Sequence, residues 1–332
     1  MRLLNHEDIW DVYSMDQALD DVADAFVAVA HGATDTPLRT RITPDDERAF
    51  LIMPAYASEV DALAVKTIAI VPGNAERGLP TAPASVLLVD GETGQTRALL
   101  DGDTVTRIRT GASSGVAFRH LARSSSEVGL LVGTGSQALT QALAMIAAVP
   151  TLAELRVANP IPGEADAFLT RLREHRAFAD SGFDGVLVAT EDAEAGAEGA
   201  DIITLVTSST DPVLGAAHLA PGATVSCVGS YQPHMEECGP DIMAAAAAIF
   251  CDDVDACLAE SGDLIKPLDD GTITRDKIRG AIGDVISGAL PGRQSDDDVL
   301  VYETVGVGAQ DLWAAARIVD AAERVGVGTE WN

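Results

Sequence analysis

Two cationic side chains are predicted to face apolar surroundings. Lys66, one of three lysines in the chain, lies within residues 62–71, where burying an unpaired ammonium would be costly. Its alternative role is that of a sheet-edge lysine that reaches solvent. Arg109 falls on the apolar face of a predicted helix that begins near residue 104, with about 100° between successive residues. An inward guanidinium binds a carboxylate or phosphate bidentately, or it pairs with an internal acid such as Asp101 or Asp103.

A glycine-rich turn is the second feature with chemical meaning. Residues 128–132 predict a strand buried on both faces, and Gly133 and Gly135 follow it in G-x-G-x-x-A spacing. Gly133 permits a tight turn, and Gly135 lets the backbone approach a pyrophosphate. After Ser136, a helix is predicted from Gln137 to Ala148, and its N-terminus favours an anion. The turn predicts a dinucleotide site; the alternative is a glycine-rich turn without a ligand.

Other candidate residues are open to more than one interpretation. Asn159 directly follows the next predicted strand. An acidic residue at that strand end would indicate NAD, and a basic residue would indicate NADP. Asparagine is neither, so the predicted cofactor is NAD(P)(H). Arg39 is a candidate anion ligand that local sequence does not separate from Arg41. His234 follows a predicted strand end and is either a general acid or a solvated loop residue.

Composition excludes several classes of protein. The chain has 332 residues, enough for two domains, and 51 acidic against 22 basic residues give a formal charge of −29. Such a field repels nucleic acid and anionic membranes, so neither is expected as a partner. The acidic residues are spread over the whole chain, which favours a protein surface adapted to high salt. The alternative is that the protein comes from an organism whose proteins are generally acidic and prefer Arg to Lys. Four cysteines without C-x-x-C spacing predict no metal site and reduced thiols, as in a cytoplasmic protein. The early charged residues Glu7 and Asp8 leave no room for a signal-peptide h-region, so no signal peptide is expected.

The predicted elements change character near residue 123. Before it, a helix at 15–31, strands at 49–53, 62–71, 84–90 and 96–100, and a helix at 103–121 indicate an α+β domain. After it, strands at 128–132, 155–158, 185–189, 202–206, 224–228 and 248–251 alternate with helical segments. That alternation predicts a Rossmann-type doubly wound parallel sheet, an α/β fold. Further helices are predicted at 274–282, 286–289 and 309–325.

Several short motifs, taken in order, carry a family resemblance. They are Met53-Pro54, Lys66, Gly78-Leu-Pro-Thr81, Arg109-Thr-Gly-Ala-Ser-Ser114, Val132-Gly-Thr-Gly-Ser-Gln-Ala138, Ala200-Asp-Ile-Ile203, Val228-Gly-Ser230, Gly262-Asp-Leu264, Gly292-Arg293 and Thr304-Val-Gly306. From Pro37 to the last helix, the chain resembles the ornithine cyclodeaminase/mu-crystallin family.

The resemblance implies domains, partners and ligands. Residues 1–122 with 310–332 would form a substrate-binding and dimerisation domain, residues 123–309 the dinucleotide-binding domain, and two chains a homodimer. It also implies that an amino or imino acid lies between the domains, with its carboxylate on Arg39, Lys66 and Arg109. The further cofactor contacts that it implies are Thr81, Thr110, Thr207, Cys227, Val228, Thr304 and Val305.

Two positions depart from the cyclodeaminase pattern. Tyr231 stands where cyclodeaminases and archaeal alanine dehydrogenases of the family have Asp, and Leu51 where ornithine-specific members have Glu. A phenol is neutral at pH 7, so Tyr231 cannot replace that carboxylate, although it can donate a hydrogen bond or a proton. The sequence therefore resembles the ketimine-reductase branch, whose members reduce cyclic imines such as Δ1-pyrroline-2-carboxylate. The alternatives are ornithine cyclodeaminase, alanine dehydrogenase and a non-catalytic NAD(P)-binding protein.

Overall fold

The computed structural model describes residues 1–45 and 48–331. The chain divides into two compact units, residues 1–109 with 307–332 and residues 110–306. The division falls inside the helix Gly102–Leu121, whereas the sequence placed a domain boundary after residue 122, beyond the end of that helix. Within the described ranges, no helix has both the length and the apolar character needed to cross a bilayer.

The helices and strands follow one another along the chain. The first part contains β1 (Arg2–Leu4), α1 (His6–Val12), α2 (Met15–Ala30), β2 (Thr34–Asp35), β3 (Thr40–Ile42), β4 (Ala49–Ala57), β5 (Ala62–Ile70), β6 (Ala84–Asp90), β7 (Thr96–Asp101) and α3 (Gly102–Leu121). The middle contains β8 (Val128–Val132), α4 (Ala138–Ala148), β9 (Glu154–Ala158), α5 (Glu164–Glu174), α6 (Arg176–Asp180), β10 (Val186–Thr190), α7 (Ala193–Ala197), β11 (Ile202–Leu205), β12 (Thr224–Cys227), α8 (Pro240–Ala245), β13 (Ala248–Cys251), α9 (Val254–Glu260), α10 (Gly262–Asp269), β14 (Ile278–Ala281), α11 (Ile282–Ile286) and β15 (Leu300–Glu303). The chain ends with α12 (Gly308–Val325) and β16 (Thr329–Glu330).

The first unit is built on a mixed sheet of order β16-β1-β7-β6-β5-β4-β2, with β3 also paired to β4. The strands predicted in this unit are confirmed, as is the helix that the Ser14–Gln17 capping box starts. Buried residues on β4 alternate with more exposed ones, as expected for a strand with one covered face. Helix α12 packs on β4, β5 and α2, so the covered face meets the start of the last helix.

The second unit contains a wholly parallel sheet of order β10-β9-β8-β11-β12-β15-β13-β14. Chain order runs outward in opposite directions from β8 and β11, so their carboxyl ends form a topological switch point, where parallel sheets bind ligands. The predicted doubly wound Rossmann-type sheet is confirmed. The sequence also predicted all five residues of β8, which is buried at four of its five positions.

Two predicted helices in the second unit were wrong, and one strand was missed. The segment 274–282 is a short 3-10 turn followed by β14, although Ile278 and Ile282 have helical spacing. Parallel pairing with β13 decides its conformation, because tertiary contacts override a weak local pattern. A helix ends at Ile286 and does not begin there. Strand β15, which the sequence analysis omitted, lies fully buried between β12 and β13.

Candidate active site

A buried carboxylate joins the two cations that the sequence singled out. Lys66 lies on β5 between Met53 of β4 and Val86 of β6, and is 1% exposed. Its Nζ is 2.7 Å from Oδ2 of Asp311, in the first turn of α12. Arg109 donates from Nε to Oδ1 of the same residue over 3.1 Å. The internal acid left open in the sequence is therefore Asp311, and not the nearby Asp101 or Asp103.

The start of α12 lies close against β4. A Cβ on Gly308 would lie 2.9 Å from the carbonyl oxygen of Pro54, so glycine permits this close approach. Gln310 Oε1 accepts from the backbone N–H of Val307 at 2.9 Å, which caps the helix, and from Nη1 of Arg109 at 3.1 Å. Adjacent residues of α12 thus hold two nitrogens of the Arg109 guanidinium.

The cluster carries more positive than negative charge. Burial is the main cause that lowers the pKa of Lys66 to about 7, and the charge of Arg109 is the second; Asp311 opposes both. The charge of Arg39, which is half-buried before β3, lowers it further. Arg39 and Arg109 therefore both act electrostatically on Lys66. With Lys66 protonated, Lys66 and Arg109 face one carboxylate, which leaves an excess positive charge that favours a further anion.

The glycine turn after β8 has the geometry of an anion cradle. Gly133 has φ +108°, and a Cβ there would lie 2.6 Å from the carbonyl oxygen of Val206. Among the described residues, nothing lies within 4 Å of a Cβ placed on Gly135, and no side chain caps the start of α4. Asn159 donates from Nδ2 to Thr134 Oγ1 over 2.7 Å, which braces the turn from β9. These residues fit the pyrophosphate of a dinucleotide.

A second buried carboxylate fixes the ends of β11 and β12. Glu237 accepts from the backbone N–H of Thr207 at 2.7 Å and from its hydroxyl at 3.0 Å. It also accepts from the N–H groups of Val228 at 3.0 Å and Gly229 at 2.5 Å. Asp263 in turn accepts from the N–H of Glu237 at 2.8 Å. Thr207 and Val228, both predicted to contact the cofactor, are thus held by one side chain.

Three other predicted cofactor residues are buried. The Thr304 hydroxyl donates to Asp252 over 2.6 Å and is buried, and Val305 is 7% exposed. The Cys227 thiol is fully buried, and a hydrogen bond with Cys238 together with burial raises its pKa.

The remaining predicted residues differ in their exposure. Ser136 is exposed at the turn, and Gln137 is half-buried before α4. Thr110 is buried, and its carbonyl accepts from Gln141 Nε2 at 3.2 Å. Thr81 is exposed in the first unit. In the loop after β12, Tyr231 is half-buried and His234 exposed.

The ligand atoms of Cys227, Asp263 and Glu303 lie within 4.8 Å of one another. Burial raises the pKa of Asp263 to about 8, and it raises that of Glu303 well above its usual value. Cys227 has a raised pKa as well. These shifts favour the protonated forms of the three side chains, which form a buried acid cluster.

Sequence reasoning missed Gln310, Asp311 and Glu237. The first two carried a signal, because they are polar residues in the first turn of a helix whose neighbouring residues are apolar. Glu237 carried none, since it follows Glu236 in a loop where an acid is ordinary.

The fold and these sites define a two-unit α/β protein whose second unit has the Rossmann architecture and its glycine turn. Residues 2–325 match the model of the ornithine cyclodeaminase/mu-crystallin family, and the chain belongs to that family. The resemblance seen in the sequence is confirmed.

The relatives include reductases. The Δ(1)-pyrroline-2-carboxylate reductase of Bacillus cereus is 34% identical over 319 residues, which cover 96% of this chain and 95% of that protein. The structure of the Thermococcus litoralis Δ(1)-pyrroline-2-carboxylate reductase in complex with NADH and L-proline matches with a TM-score of 0.92 at 30% identity, covering 100% of both chains. An archaeal alanine dehydrogenase dimer with bound NAD matches with a TM-score of 0.90 at 27% identity, covering 100% of this chain and 99% of that chain.

Proposed function

We propose that this protein is an NAD(P)H-dependent reductase of cyclic ketimines that carry a carboxylate, such as Δ1-pyrroline-2-carboxylate. The observation that carries the proposal is the buried Lys66–Asp311–Arg109 cluster, whose two cations exceed its one carboxylate. A substrate carboxylate supplies the missing anion. The likeness to two Δ(1)-pyrroline-2-carboxylate reductases supports this substrate class.

The chain's own residues bind the carboxylate and handle a proton. When bound, the nicotinamide supplies a hydride to the imine carbon. Arg39 and Arg109 attract and orient the carboxylate, which can contribute several kcal/mol to lowering the barrier. Reduction of C=N to CH–NH also consumes one proton at nitrogen. Lys66, with a pKa of about 7, is present as both acid and base at neutral pH and is suited to pass that proton. Tyr231 is the other candidate donor.

The dinucleotide is held by the second unit in this proposal, with Thr81 and Thr110 as further contacts. Gly133, Gly135, Ser136 and Gln137 form the pyrophosphate cradle. The strand ends supply the other contacts, from Asn159, Thr207, Cys227, Val228, Thr304 and Val305. Asn159 is neutral at the end of β9, so the proposal covers both NADH and NADPH.

Leu51 and Tyr231 separate this function from ornithine cyclisation, because neither offers a carboxylate to a substrate amine. The test measures initial rates with Δ1-pyrroline-2-carboxylate, with pyruvate plus ammonia, and with ornithine plus NAD⁺. We expect reduction of the cyclic ketimine with NADH or NADPH and no ammonia from ornithine. Robust conversion of ornithine to proline would overturn the proposal, and a higher kcat/KM for pyruvate plus ammonia would reassign the substrate.

We propose that two copies pair through the open face of the first unit's sheet. Phe50 and Tyr56 on β4 are 41% and 36% exposed, and Leu99 on β7 is 37% exposed. Registers place Leu99, Leu87, Val65 and Pro54 in one row across this face. Such an apolar surface indicates a protein partner, and the dimeric relative makes a second copy the leading one. Sedimentation should give a dimer mass that Phe50→Asp lowers; a monomeric wild type would contradict this.

We also propose a cytoplasmic, salt-adapted protein. The four cysteines all carry free, buried thiols, which suits a reducing compartment. Repulsion among surface acids should lessen as the Debye length falls from about 10 Å at 0.1 M to about 3 Å at 1 M salt. The melting temperature should therefore rise between these concentrations, and a flat or falling value would remove the salt-adaptation proposal.

A further inference from the structure

We propose that Gln310 contacts the substrate directly, by donating a hydrogen bond from Nε2 to its carboxylate. The orientation of the amide is set by its other end. Oε1 accepts from two N–H groups, that of Val307 at 2.9 Å and Nη1 of Arg109 at 3.1 Å. Both partners are donors, so the atom that meets them is the oxygen, and Nε2 is the atom that remains.

Nε2 of Gln310 is a buried donor that lacks an acceptor. The side chain is 0% exposed, and no acceptor for Nε2 lies within residues 1–45 and 48–331. Buried donors are nearly always paired in folded proteins, so an unpaired one needs an explanation. A ligand that brings an acceptor provides it.

The surroundings select an anionic acceptor. Asp311, next in the chain, already has one oxygen toward Lys66 and the other toward Arg109. These two cations leave an excess positive charge beside Gln310. A carboxylate satisfies the charge and the donor together, whereas a neutral carbonyl satisfies only the donor.

The type of residue distinguishes substrate contact from helix capping. A capping box accepts Glu or Gln at this position, because only the side-chain oxygen is used. Glu would also pair more strongly with Arg109. What Gln has and Glu lacks is the Nε2–H₂ donor and neutrality, and both favour an incoming carboxylate.

The test compares Gln310→Glu and Gln310→Met, each in the wild-type and Arg109→Lys backgrounds. The readouts are kcat and KM for Δ1-pyrroline-2-carboxylate, the dissociation constant of L-proline by calorimetry, and the melting temperature. Gln17 occupies the same capping position on α2 and accepts there from the N–H of Ser14 at 2.9 Å, so Gln17→Met is the matched control.

We expect both Gln310 variants to raise KM and the L-proline dissociation constant about tenfold or more, with a smaller change in kcat. Gln17→Met should leave these constants unchanged. The increase in KM and in the L-proline dissociation constant that Gln310→Met causes should be just as large in the Arg109→Lys background, because a direct contact does not require the guanidinium. If it disappears there, Gln310 acts only by positioning Arg109, and the inference is wrong. Unchanged L-proline binding in Gln310→Glu would also overturn it.

The inference rests on the proposed function, but the two can fail separately. A wild type that reduces no cyclic ketimine would refute the function while L-proline binding still tests Gln310. An active wild type with unaffected Gln310 variants would refute only the role of Gln310.

Discussion

Asp311 in the first unit and Glu237 in the second are both buried carboxylates, but their partners differ. Asp311 lies between two cationic side chains, Lys66 and Arg109. Glu237 accepts chiefly from backbone N–H groups, including those of Val228 and Gly229, and no cation is within salt-bridge distance of it among the described residues.

This difference separates two uses of a buried acid. Asp311 orients side chains and holds charge in place, so its loss should affect substrate chemistry and leave buried cations uncompensated. Glu237 orients main chain at strand ends, so its loss should affect cofactor binding. Burial, opposed by those hydrogen bonds, raises the pKa of Glu237.

The largest expected effect is that of Asp311→Asn. It leaves Lys66 and Arg109 buried together without a carboxylate, and removing one partner of a buried pair costs about 3–5 kcal/mol. Chemical denaturation should show this loss, and kcat/KM should fall with it. Asp320→Asn is the control on the same helix, because it breaks a half-exposed pair with Arg97 of β7 and should cost about 0–1 kcal/mol. Equal losses in the two variants would contradict the comparison.

Arg109→Lys should have the next largest effect, and on catalysis more than on stability. Lysine keeps the charge but cannot bond Asp311 and Gln310 as the planar guanidinium does. We expect kcat/KM for the ketimine to fall about 100-fold, since small misplacements can have effects of that order. Arg97→Lys serves as the control. Near-normal kcat/KM in Arg109→Lys would make Arg109 structural.

Glu237→Gln should reduce stability by about 1–3 kcal/mol, because one acceptor oxygen becomes a donor that faces N–H groups. Its kinetic signature should be a higher KM for NADH or NADPH, with a smaller change in KM for the ketimine. Glu236→Gln, which removes a partly exposed pair with Lys266, is the adjacent control. A larger change in ketimine KM than in coenzyme KM would remove the distinction between the two acids.

The smallest step, at most about 1.4 kcal/mol per pH unit for each group, should appear in the pH dependence of stability, with opposite signs in the two units. Burial, followed by the charge of Glu237, raises the pKa of Asp263 to about 8, so the folded state holds that proton more tightly. Its contribution to stability falls as pH rises from about 4 to 8. Lys66 has a pKa lowered to about 7, so the unfolded state binds its proton more tightly between about 7 and 10.4. Its contribution rises over that range.

Melting curves from pH 5 to 9 for Asp263→Asn and Lys66→Met isolate these contributions as differences from the wild type. Asp263→Asn should flatten the fall below pH 8, and Lys66→Met should flatten the rise above pH 7. A difference curve of the opposite sign for either variant would contradict its assignment.

The sequence predicted what depends on local pattern. The apolar runs at 49–53 and 128–132 predicted the strands β4 and β8, and helical periodicity placed Arg109 on the apolar face of α3. The glycine turn after β8 was also readable, because its spacing has a direct backbone meaning. The helix predicted at 274–282 was wrong, because the apolar residues there have helical spacing but residues 278–281 pair with β13 as a strand.

Tertiary structure alone decided which groups are brought together. Asp311 meets Arg109 across 202 residues, and Glu237 meets Thr207 across 30. These two contacts follow from the packing of α12 on β4 and β5 and from the order of the parallel strands. The sequence showed that Lys66 and Arg109 need an anion, because a buried charge is costly wherever it lies. It could not show which acid supplies that anion, because several carboxylates are near in sequence and only packing selects one.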